Sequence, residues 1–237
     1  MTDDLLRGLI RGGRLRAAIN VGNKALVQQD GDQLRGVSPA LAARLAESLG
    51  AELETVIYSS ANEVVTDADS GRWDVAFLAV DPGRADRVTF ADAYVTIETT
   101  YAVRAGDPMI SVHQVDAPGK VILVATGSAY DLHLTKALRH ATLLRGGTPP
   151  ETMAAFHASA ADAVAGVKQS LVAALGADPT VRILPGAFAE VSQTMALPAR
   201  NAALLGALNG FVARAKAEGF VRAALDASGQ SALTIPD

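Results

Sequence analysis

The chain has 237 residues, 49% of them hydrophobic, and a formal net charge of −4 at pH 7. Its length and apolar content exclude an intrinsically disordered chain and are sufficient for one large or two medium α/β lobes. Its 21 basic residues are scattered along the sequence, which argues against nucleic acid as a partner.

In the first third of the chain, strand-like segments alternate with helix-like ones. Strands are predicted at Leu15 to Gly22, Leu53 to Tyr58 and Trp73 to Val80. Helices are predicted between them, at Ser38 to Leu49 and Ser60 to Ser70. This alternation is typical of a parallel sheet with helices on its faces.

Both predicted helices carry capping signals. Ser38 is followed by Pro39 and is predicted to cap the first helix, which Gly50 is predicted to end. Ser60 and Glu63 have the spacing of a capping box at the start of the second helix. We expect Ser60 to act mainly as a cap, although the N–H groups at that helix start could also face a ligand.

The third strand runs into a turn that presents one arginine. Residues Val75 to Val80 are continuously apolar, as in a strand covered on both faces, and an Asp-Pro-Gly turn then breaks the run. Arg84 therefore follows the carboxyl end of a buried strand, where open α/β sheets bind their ligands. A guanidinium there can hold a carboxylate through two parallel hydrogen bonds. The alternative is an arginine in a solvated surface turn.

Two extended runs, Ile97 to Arg104 and Glu190 to Leu197, divide the chain further along. A new α/β alternation begins between them, so the runs are predicted to be two hinge crossings between two lobes. The predicted lobes are residues 1–103 with 197–237 for lobe 1 and residues 104–196 for lobe 2.

The second lobe opens with a predicted strand, Val121 to Thr126, that leads into a helix start. At Ser128, Ala129 and Tyr130 the backbone N–H groups and the positive end of the helix dipole favour an anion. These residues are predicted to contact the same carboxylate as Arg84. The alternative is that Ser128 only caps its helix, and the two roles are compatible because a side-chain cap leaves some backbone donors free.

Four residues match a known sequence signature in order and spacing, namely Asp74, Arg84, Phe90 and Tyr94. With these residues, the segment resembles the signature of the family 3 extracellular solute-binding proteins, which are receptors for polar amino acids in ABC import. The resemblance implies a type II periplasmic-binding-protein-like α/β fold of two lobes, each a mostly parallel sheet flanked by helices. It also implies that Arg84 grips the α-carboxylate of the ligand.

The resemblance extends along nearly the whole chain in family order. It is carried by Leu15 to Asn23, Gly36 to Ser59, Lys120 to Tyr130 and Ala202 to Leu225. Beside Arg84, the ligand-binding residues that it implies are Asn20, Asn23, Ser60, Ala61, Ala79, Asp81, Ser128, Ala129, Tyr130, Val167 and Lys168.

Several positions depart from the family pattern. Asp81 occupies the place of the usual Ser or Thr, where we expect it to pair with the arginine, orient it or compete with the ligand carboxylate. Ser60 and Ala61 stand where many relatives carry a stacking aromatic residue, so a wider cleft is expected on that wall.

Val167 is the departure with the largest consequence, because the family has an aspartate there that receives the α-ammonium of the ligand. An ammonium beside valine loses that anionic partner, so we expect a ligand other than an ordinary L-α-amino acid. Lys168 is a candidate for a second anion contact, which favours a dicarboxylate or an amine-free acid. The alternative for Lys168 is a solvated side chain.

The function indicated is a solute-binding protein that closes around a small carboxylate, either amino acid-like or amine-free. The enzymatic alternative is a lyase similar to the cyclohexadienyl dehydratases, for which Asp81, Asp131, His133 and Lys168 are candidate acids. A cytoplasmic ligand-sensing module is the third possibility, since the same fold serves in bacterial regulators.

The remaining expectations concern location and partners. The chain has no cysteine and no histidines with metal-ligand spacing, so neither a metal nor a cofactor is expected. No segment approaches the roughly 20 apolar residues of a membrane span, so membrane insertion is not expected. The acidic start lacks the positive charge of a signal peptide, which predicts a cytoplasmic location for the chain as written. The protein is also expected to be a monomer. If a signal was trimmed, a periplasmic location and an ABC transporter permease as partner are expected.

Overall fold

The computed structural model describes residues 2–236, and their contacts divide the chain into two units. Unit 1 contains the residues up to Val21, Leu26–Thr96 and the residues from Ser192 onward. Unit 2 contains Gly22–Ala25 and Ile97–Val191.

The elements confirm the strands and helices predicted in the first third of the chain, with shifts at their ends. The strands are β1 (Arg14–Asn20), β2 (Gln28–Asp30), β3 (Gln33–Arg35), β4 (Glu52–Tyr58), β5 (Val75–Ala79), β6 (Val88–Arg104), β7 (Val121–Ala125), β8 (Thr142–Gly146), β9 (Ala163–Val167), β10 (Val181–Ile183) and β11 (Ala189–Pro198). The helices are α1 (Thr2–Leu6), α2 (Val37–Leu49), α3 (Ala61–Thr66), α4 (Ala129–Ala137), α5 (Pro149–Ala155), α6 (Lys168–Leu175), α7 (Leu205–Ala217) and α8 (Phe220–Ala227).

The sheet of unit 1 is mostly parallel. Strands β4, β1 and β5 lie side by side in parallel, and β11 pairs with β5 in the antiparallel sense. Every residue of β5 is buried, as its continuous apolar run predicts. Trp73, which precedes β5, is fully buried, and its indole N–H donates to the carbonyl of Val64 at 3.1 Å. This hydrogen bond satisfies the one polar group that the ring brings into the core.

The sheet of unit 2 has a similar layout. Strands β8, β7 and β9 are parallel, β6 pairs with β9 in the antiparallel sense, and β10 pairs with β6. Every residue of β9 is buried. Clusters of buried side chains in this unit include Tyr101, Val124 and Leu134 in one group and Phe156 and Leu171 in another. The predicted α/β class with mostly parallel sheets is therefore confirmed.

Two long strands, β6 and β11, run from one unit into the other. The division falls after Thr96 and after Val191, whereas the predicted lobes change after residues 103 and 196. Because each crossing lies inside a continuous strand, no change of composition marks its position.

Two local predictions are wrong. Ser38 does not cap α2, because its hydroxyl lies 3.0 Å from the hydroxyl of Tyr94 in the core, and the residue at the cap position is Gly36. Helix α3 ends at Thr66 rather than at Ser70, whose hydroxyl donates to a backbone carbonyl and closes a turn there. Gly50 ends α2 in the left-handed conformation, at φ 66°, as predicted.

Within residues 2–236, no helix has both the length and the apolar character needed to cross a membrane.

Asp74 ties the beginning of β5 to β1. Its two carboxylate oxygens accept hydrogen bonds from the Arg16 guanidinium at 2.8 and 2.7 Å, and one also accepts from the Arg16 backbone N–H at 3.0 Å. Only 1% of the Asp74 side chain is exposed. A paired carboxylate of this kind fixes the register of two strands by geometry as well as by charge. The signature aspartate therefore serves the fold of unit 1.

We expect Asp74→Ala to lower the free energy of unfolding by about 3 kcal/mol, because it leaves the partly buried Arg16 without its partner. Urea denaturation measures this change. The matched control is Arg14→Ala, which removes an exposed ion pair with Glu52 and should cost less than about 1 kcal/mol. Equal losses in the two variants would contradict a structural role for the buried pair.

Asp162 has a comparable role in unit 2. Its carboxylate accepts hydrogen bonds from the Lys120 ammonium at 2.9 Å and from the Val121 backbone N–H at 2.8 Å. Burial tends to raise the pKa of Asp162, but these two hydrogen bonds outweigh it and hold the pKa below its ordinary value. The carboxylate therefore stabilises the folded state in its charged form.

This pKa shift predicts a pH-dependent loss of stability. Because the folded-state pKa of Asp162 lies below the unfolded value of about 4, its stabilisation is present above that pH and disappears as the pH falls through the folded-state pKa. We expect Asp162→Asn to be less stable than the wild type at pH 7, by about 1 kcal/mol, with the difference shrinking in acid. Denaturation from neutral to acid pH measures this, with Asp69→Asn as a surface control. A difference that grows in acid would contradict the assignment.

Candidate functional site

In unit 1, the predicted site residues gather at one edge of the sheet. Strands β4, β1 and β5 are parallel, so their carboxyl ends lie at the same edge. Asn20 ends β1 and Ala79 ends β5. Ser60 and Ala61 follow β4 and begin α3. The turn that carries Arg84 follows β5 at this same edge.

Arg84 is a buried cation at this edge of the unit 1 sheet. Only 4% of the residue is exposed, and its Nη1 group donates to the carbonyl of Ala79 at 3.3 Å. Burial lowers the pKa of the guanidinium, and the charge of Asp81 partly opposes this effect. A guanidinium nevertheless remains protonated in proteins. Its desolvation is a cost that a bound anion would offset.

Asp81 shapes the turn that presents Arg84. Its carboxylate accepts a hydrogen bond from the backbone N–H of Gly83 at 2.7 Å, and Pro82 occupies the first position of the turn. The direct hydrogen bond of Asp81 therefore goes to the backbone. Asp81 acts on the arginine through the turn and through its charge.

Ser60 caps α3 as predicted. Its hydroxyl oxygen accepts a hydrogen bond from the backbone N–H of Glu63 at 3.3 Å, and the Glu63 carboxylate accepts one from the backbone N–H of Ser59 at 3.0 Å. Ser60 is 7% exposed. A ligand contact by Ser60 or Ala61 stays a prediction.

In unit 2, the remaining predicted residues also share a sheet edge. Strands β7 and β9 are parallel neighbours, so the connections that follow them lie side by side. Ser128, Ala129 and Tyr130 follow β7 and begin α4. Val167 ends β9, and Lys168 begins α6. Two helix starts therefore lie at this edge, each with backbone N–H groups that helix geometry leaves without an internal partner.

The start of α4 is held by reciprocal capping. The Ser128 hydroxyl oxygen accepts from the backbone N–H of Asp131 at 3.1 Å, and the Asp131 carboxylate accepts from the backbone N–H of Gly127 at 2.9 Å. The other Asp131 oxygen lies 2.9 Å from Nε of Arg145. Asp131 is 3% exposed, so this candidate acid is a buried, neutralised support for the helix start.

The start of α6 receives the separate segment Gly22–Ala25. The backbone N–H of Lys24 donates to the Ser170 hydroxyl at 3.1 Å. Contacts assign this segment to unit 2, which brings Asn23 to the same region as the first turn of α6. The sequence predicted Asn23 as a ligand residue but did not predict the helix that it approaches.

Lys168 forms an ion pair with Glu98. Its Nζ lies 2.6 Å from Oε2 of Glu98, and the two side chains are 40% and 44% exposed. The lysine predicted as a candidate anion contact is thus paired with a carboxylate from β6. Val167 itself is 9% exposed and lies opposite Thr99 in the pairing of β9 with β6.

Three buried polar atoms of unit 2 have no hydrogen-bond partner among the described residues. They are Oδ1 of Asn23, the hydroxyl of Tyr130 and Oε1 of Gln169. Burial also raises the pKa of the Tyr130 hydroxyl, which keeps it protonated at neutral pH. Because buried polar groups are normally paired, these atoms point to a ligand or to bound water.

Sequence reasoning missed Glu98, Gln169 and Ser170. Glu98 lies within an extended run, and its partner Lys168 is distant in sequence, so the local pattern could not connect them. Within residues 2–236, no group of three or more His, Asp or Glu side chains is arranged to hold a metal ion.

A family model matches residues 15–227 of the chain, and its description is bacterial extracellular solute-binding proteins, family 3. No curated protein sequence gives a significant match.

Solved structures share the fold over nearly the whole chain. The solute receptor for L-cysteine of Neisseria gonorrhoeae has a TM-score of 0.81 at 24% identity, covering 96% of this chain and 93% of that one. A mutant of ArgBP from T. maritima has a TM-score of 0.79 at 19% identity, covering 97% and 99%. The ancestral amino acid-binding protein AncCDT-1, described as a precursor of cyclohexadienyl dehydratase, has a TM-score of 0.77 at 20% identity, covering 95% and 97%. The predicted type II fold is confirmed by this likeness.

The cap at α4 generates a stability prediction. We expect Ser128→Ala to lower the free energy of unfolding by about 1 kcal/mol, because the backbone N–H of Asp131 loses its acceptor. Ser128→Asn retains a side-chain acceptor and should stay within a few tenths of a kcal/mol of the wild type, which urea denaturation can resolve. If both variants lose the same stability, the hydroxyl does not act through the cap.

Proposed function

Because the chain belongs to family 3 of the bacterial extracellular solute-binding proteins, we propose that it binds a small carboxylate reversibly and without turnover. The observation that carries the proposal is the buried Arg84 guanidinium at the carboxyl edge of the unit 1 sheet. For unit 2, we propose that the start of α4 contributes backbone donors to a bound carboxylate.

The chemistry of Arg84 suits a carboxylate. A guanidinium presents five N–H donors in a plane, and two of them match the spacing of the two carboxylate oxygens. Arg84 is 4% exposed, so little water screens its charge. A carboxylate that binds such a group gains from charge and from bidentate geometry together.

The start of α4 suits an anion for a different reason. Its first backbone N–H groups have no intrahelical acceptor, and the helix dipole places partial positive charge there. The cap uses the hydroxyl of Ser128 for the N–H of Asp131, so the capping and anion-binding roles occupy different groups. Ala129 and Tyr130 are the residues whose N–H groups we assign to the ligand.

The relatives support an amino acid-like or other small carboxylate. One of the similar structures is a receptor for L-cysteine and another is named ArgBP. For an exported form of the protein, we propose an ABC transporter permease as the partner that receives the ligand.

Binding without turnover is supported by the state of two of the four candidate acids. Asp131 is buried against Arg145, and Asp81 accepts a hydrogen bond from the backbone of its turn. A general acid must instead face the leaving group of a substrate. Turnover of prephenate or arogenate by the purified protein would overturn this part of the proposal and favour a dehydratase.

The proposal predicts a loss of affinity on removal of the guanidinium. We expect Arg84→Ala to weaken the best-bound carboxylate from a panel of L-amino acids and organic acids by at least about tenfold, or about 1.4 kcal/mol. Titration calorimetry gives the dissociation constant, and thermal melting shows whether the variant remains folded. Ligand binding to the folded state alone raises the melting temperature, so the panel can be screened in the same way.

The matched control is Arg87→Ala. Arg87 lies in the same connection, but its side chain is 47% exposed and pairs loosely with Asp69. Its removal should leave the affinity unchanged. Unaltered binding by Arg84→Ala, or equal weakening in both variants, would refute the assignment of Arg84 to the carboxylate.

A further inference from the structure

We propose that the segment of residues 230–236, the strap, restrains β6 at the end of unit 1 and thereby strengthens the binding of a ligand by the protein. The strap follows α8 and lies outside residues 15–227, which match the family model. This inference rests on the proposed function, because the affinity that it concerns is the affinity for the small carboxylate. The strap itself contacts β6 and not the ligand.

The strap is bound to β6 at Thr96, where this strand leaves unit 1. The backbone N–H of Thr96 donates to the carbonyl of Thr234 at 2.8 Å, and the two residues form an antiparallel bridge. The next residue of the same strand, Ile97, already belongs to unit 2. The strap therefore restrains the backbone of β6 immediately before the crossing.

Lys216 of α7 ties the strap to β6 a second time. Its ammonium group donates to the carbonyl of Pro236 at 2.8 Å and to the carbonyl of Ala93, in β6, at 3.3 Å. An ammonium group carries three N–H donors, so one side chain can bind the strap and the strand together. The restrained part of β6 therefore covers residues 93–96.

Few contacts hold the strap in place. Leu233 is 5% exposed and is the one buried side chain among residues 230–236. The Arg222 guanidinium of α8 donates to the carbonyls of Ser231 at 2.8 Å and Leu233 at 3.0 Å. A segment with so little buried apolar surface opens locally, at a fraction of the free energy of global unfolding. The strap is therefore a restraint that can be weakened without disturbing the core of unit 1.

The restraint at Thr96 decides which residues of β6 can change conformation. A hinge works through a few residues whose backbone dihedral angles change. While the N–H of Thr96 is bound to the strap, such a change in β6 begins at Ile97 or later. Without the strap, residues 93–96 can change as well, and the unliganded protein gains conformational freedom. A ligand that orders β6 then has a larger loss of entropy to overcome, so its affinity falls.

Amide hydrogen exchange, followed by NMR, tests the restraint in the free full-length protein. Leu233→Ala removes the buried side chain of the strap, and Lys216→Met removes the ammonium group that binds both carbonyls. We expect each variant to exchange the Thr96 amide at least about tenfold faster than the wild type, with a much smaller change in the buried strand β5. The matched controls, Leu5→Ala and Lys136→Met, remove the same side chains at exposed positions and should leave the Thr96 amide unchanged.

Titration calorimetry on the same variants tests the effect on binding. The probes are L-cysteine, L-arginine, L-aspartate, L-glutamine, propanoate and succinate, and the one that binds the wild type most tightly is used throughout. We expect Leu233→Ala and Lys216→Met to weaken its binding at least about threefold, because the ligand must order more of the chain. The two control variants should bind it as tightly as the wild type.

The outcomes separate the strap from the proposed function. An unchanged exchange rate at Thr96 in both variants, or an equal acceleration throughout β5, overturns the restraint. Faster exchange at Thr96 with unchanged affinity overturns the effect on binding, while carboxylate binding stands. If none of the probes binds, the proposed function fails and the effect on affinity fails with it, whereas the exchange rates still decide whether the strap restrains β6.

Discussion

The parallel pairing of neighbouring strands is the constraint on which both candidate sites depend. In unit 1 it places the ends of β4, β1 and β5 at one edge, while Asp74 fastens the opposite end of β1 to β5 through Arg16. In unit 2 it places the starts of α4 and α6 side by side after β7 and β9. Since both β5 and β9 are completely buried, the candidate residues lie at the ends of these strands and in the connections that follow them.

Buried charge is compensated differently at the two edges. Arg84 in unit 1 is buried in a turn shaped by Asp81, whose charge partly opposes the effect of burial on the pKa of the guanidinium. In unit 2, Asp131 is neutralised by Arg145 and by backbone N–H groups, so it holds the start of α4 in place. The Glu98 and Lys168 pair is half exposed instead, and exposed pairs exchange partners at low energetic cost. Unit 2 therefore holds one ion pair with a buried carboxylate and one that is half exposed.

Local signals predicted much of the fold and part of the site. The continuous apolar run of β5, the Gly50 stop and the Ser60 cap depend on neighbouring residues and were read correctly from sequence. The role of Ser38 was predicted wrongly, because its hydroxyl contacts the hydroxyl of Tyr94, which is distant in the sequence. The short hairpin of β2 and β3 and the helix α6 were also missed. Arg84 could be predicted as a candidate from sequence because it follows a strand end. The position of Glu98 next to the end of β9 follows only from the pairing of β6 with β9.

The contrast between Val167 and Glu98 shows why a single position is weak grounds for specificity. A cation requires negative charge at a point in space, and any side chain that reaches that point can supply it. Glu98 of the adjacent strand precedes the register partner of that valine, and because neighbouring strand residues face opposite sides of the sheet, its carboxylate contacts Lys168. Two buried amide oxygens without donors lie on segments that meet at the same turn. The residue type at position 167 is therefore insufficient, by itself, to fix the class of ligand.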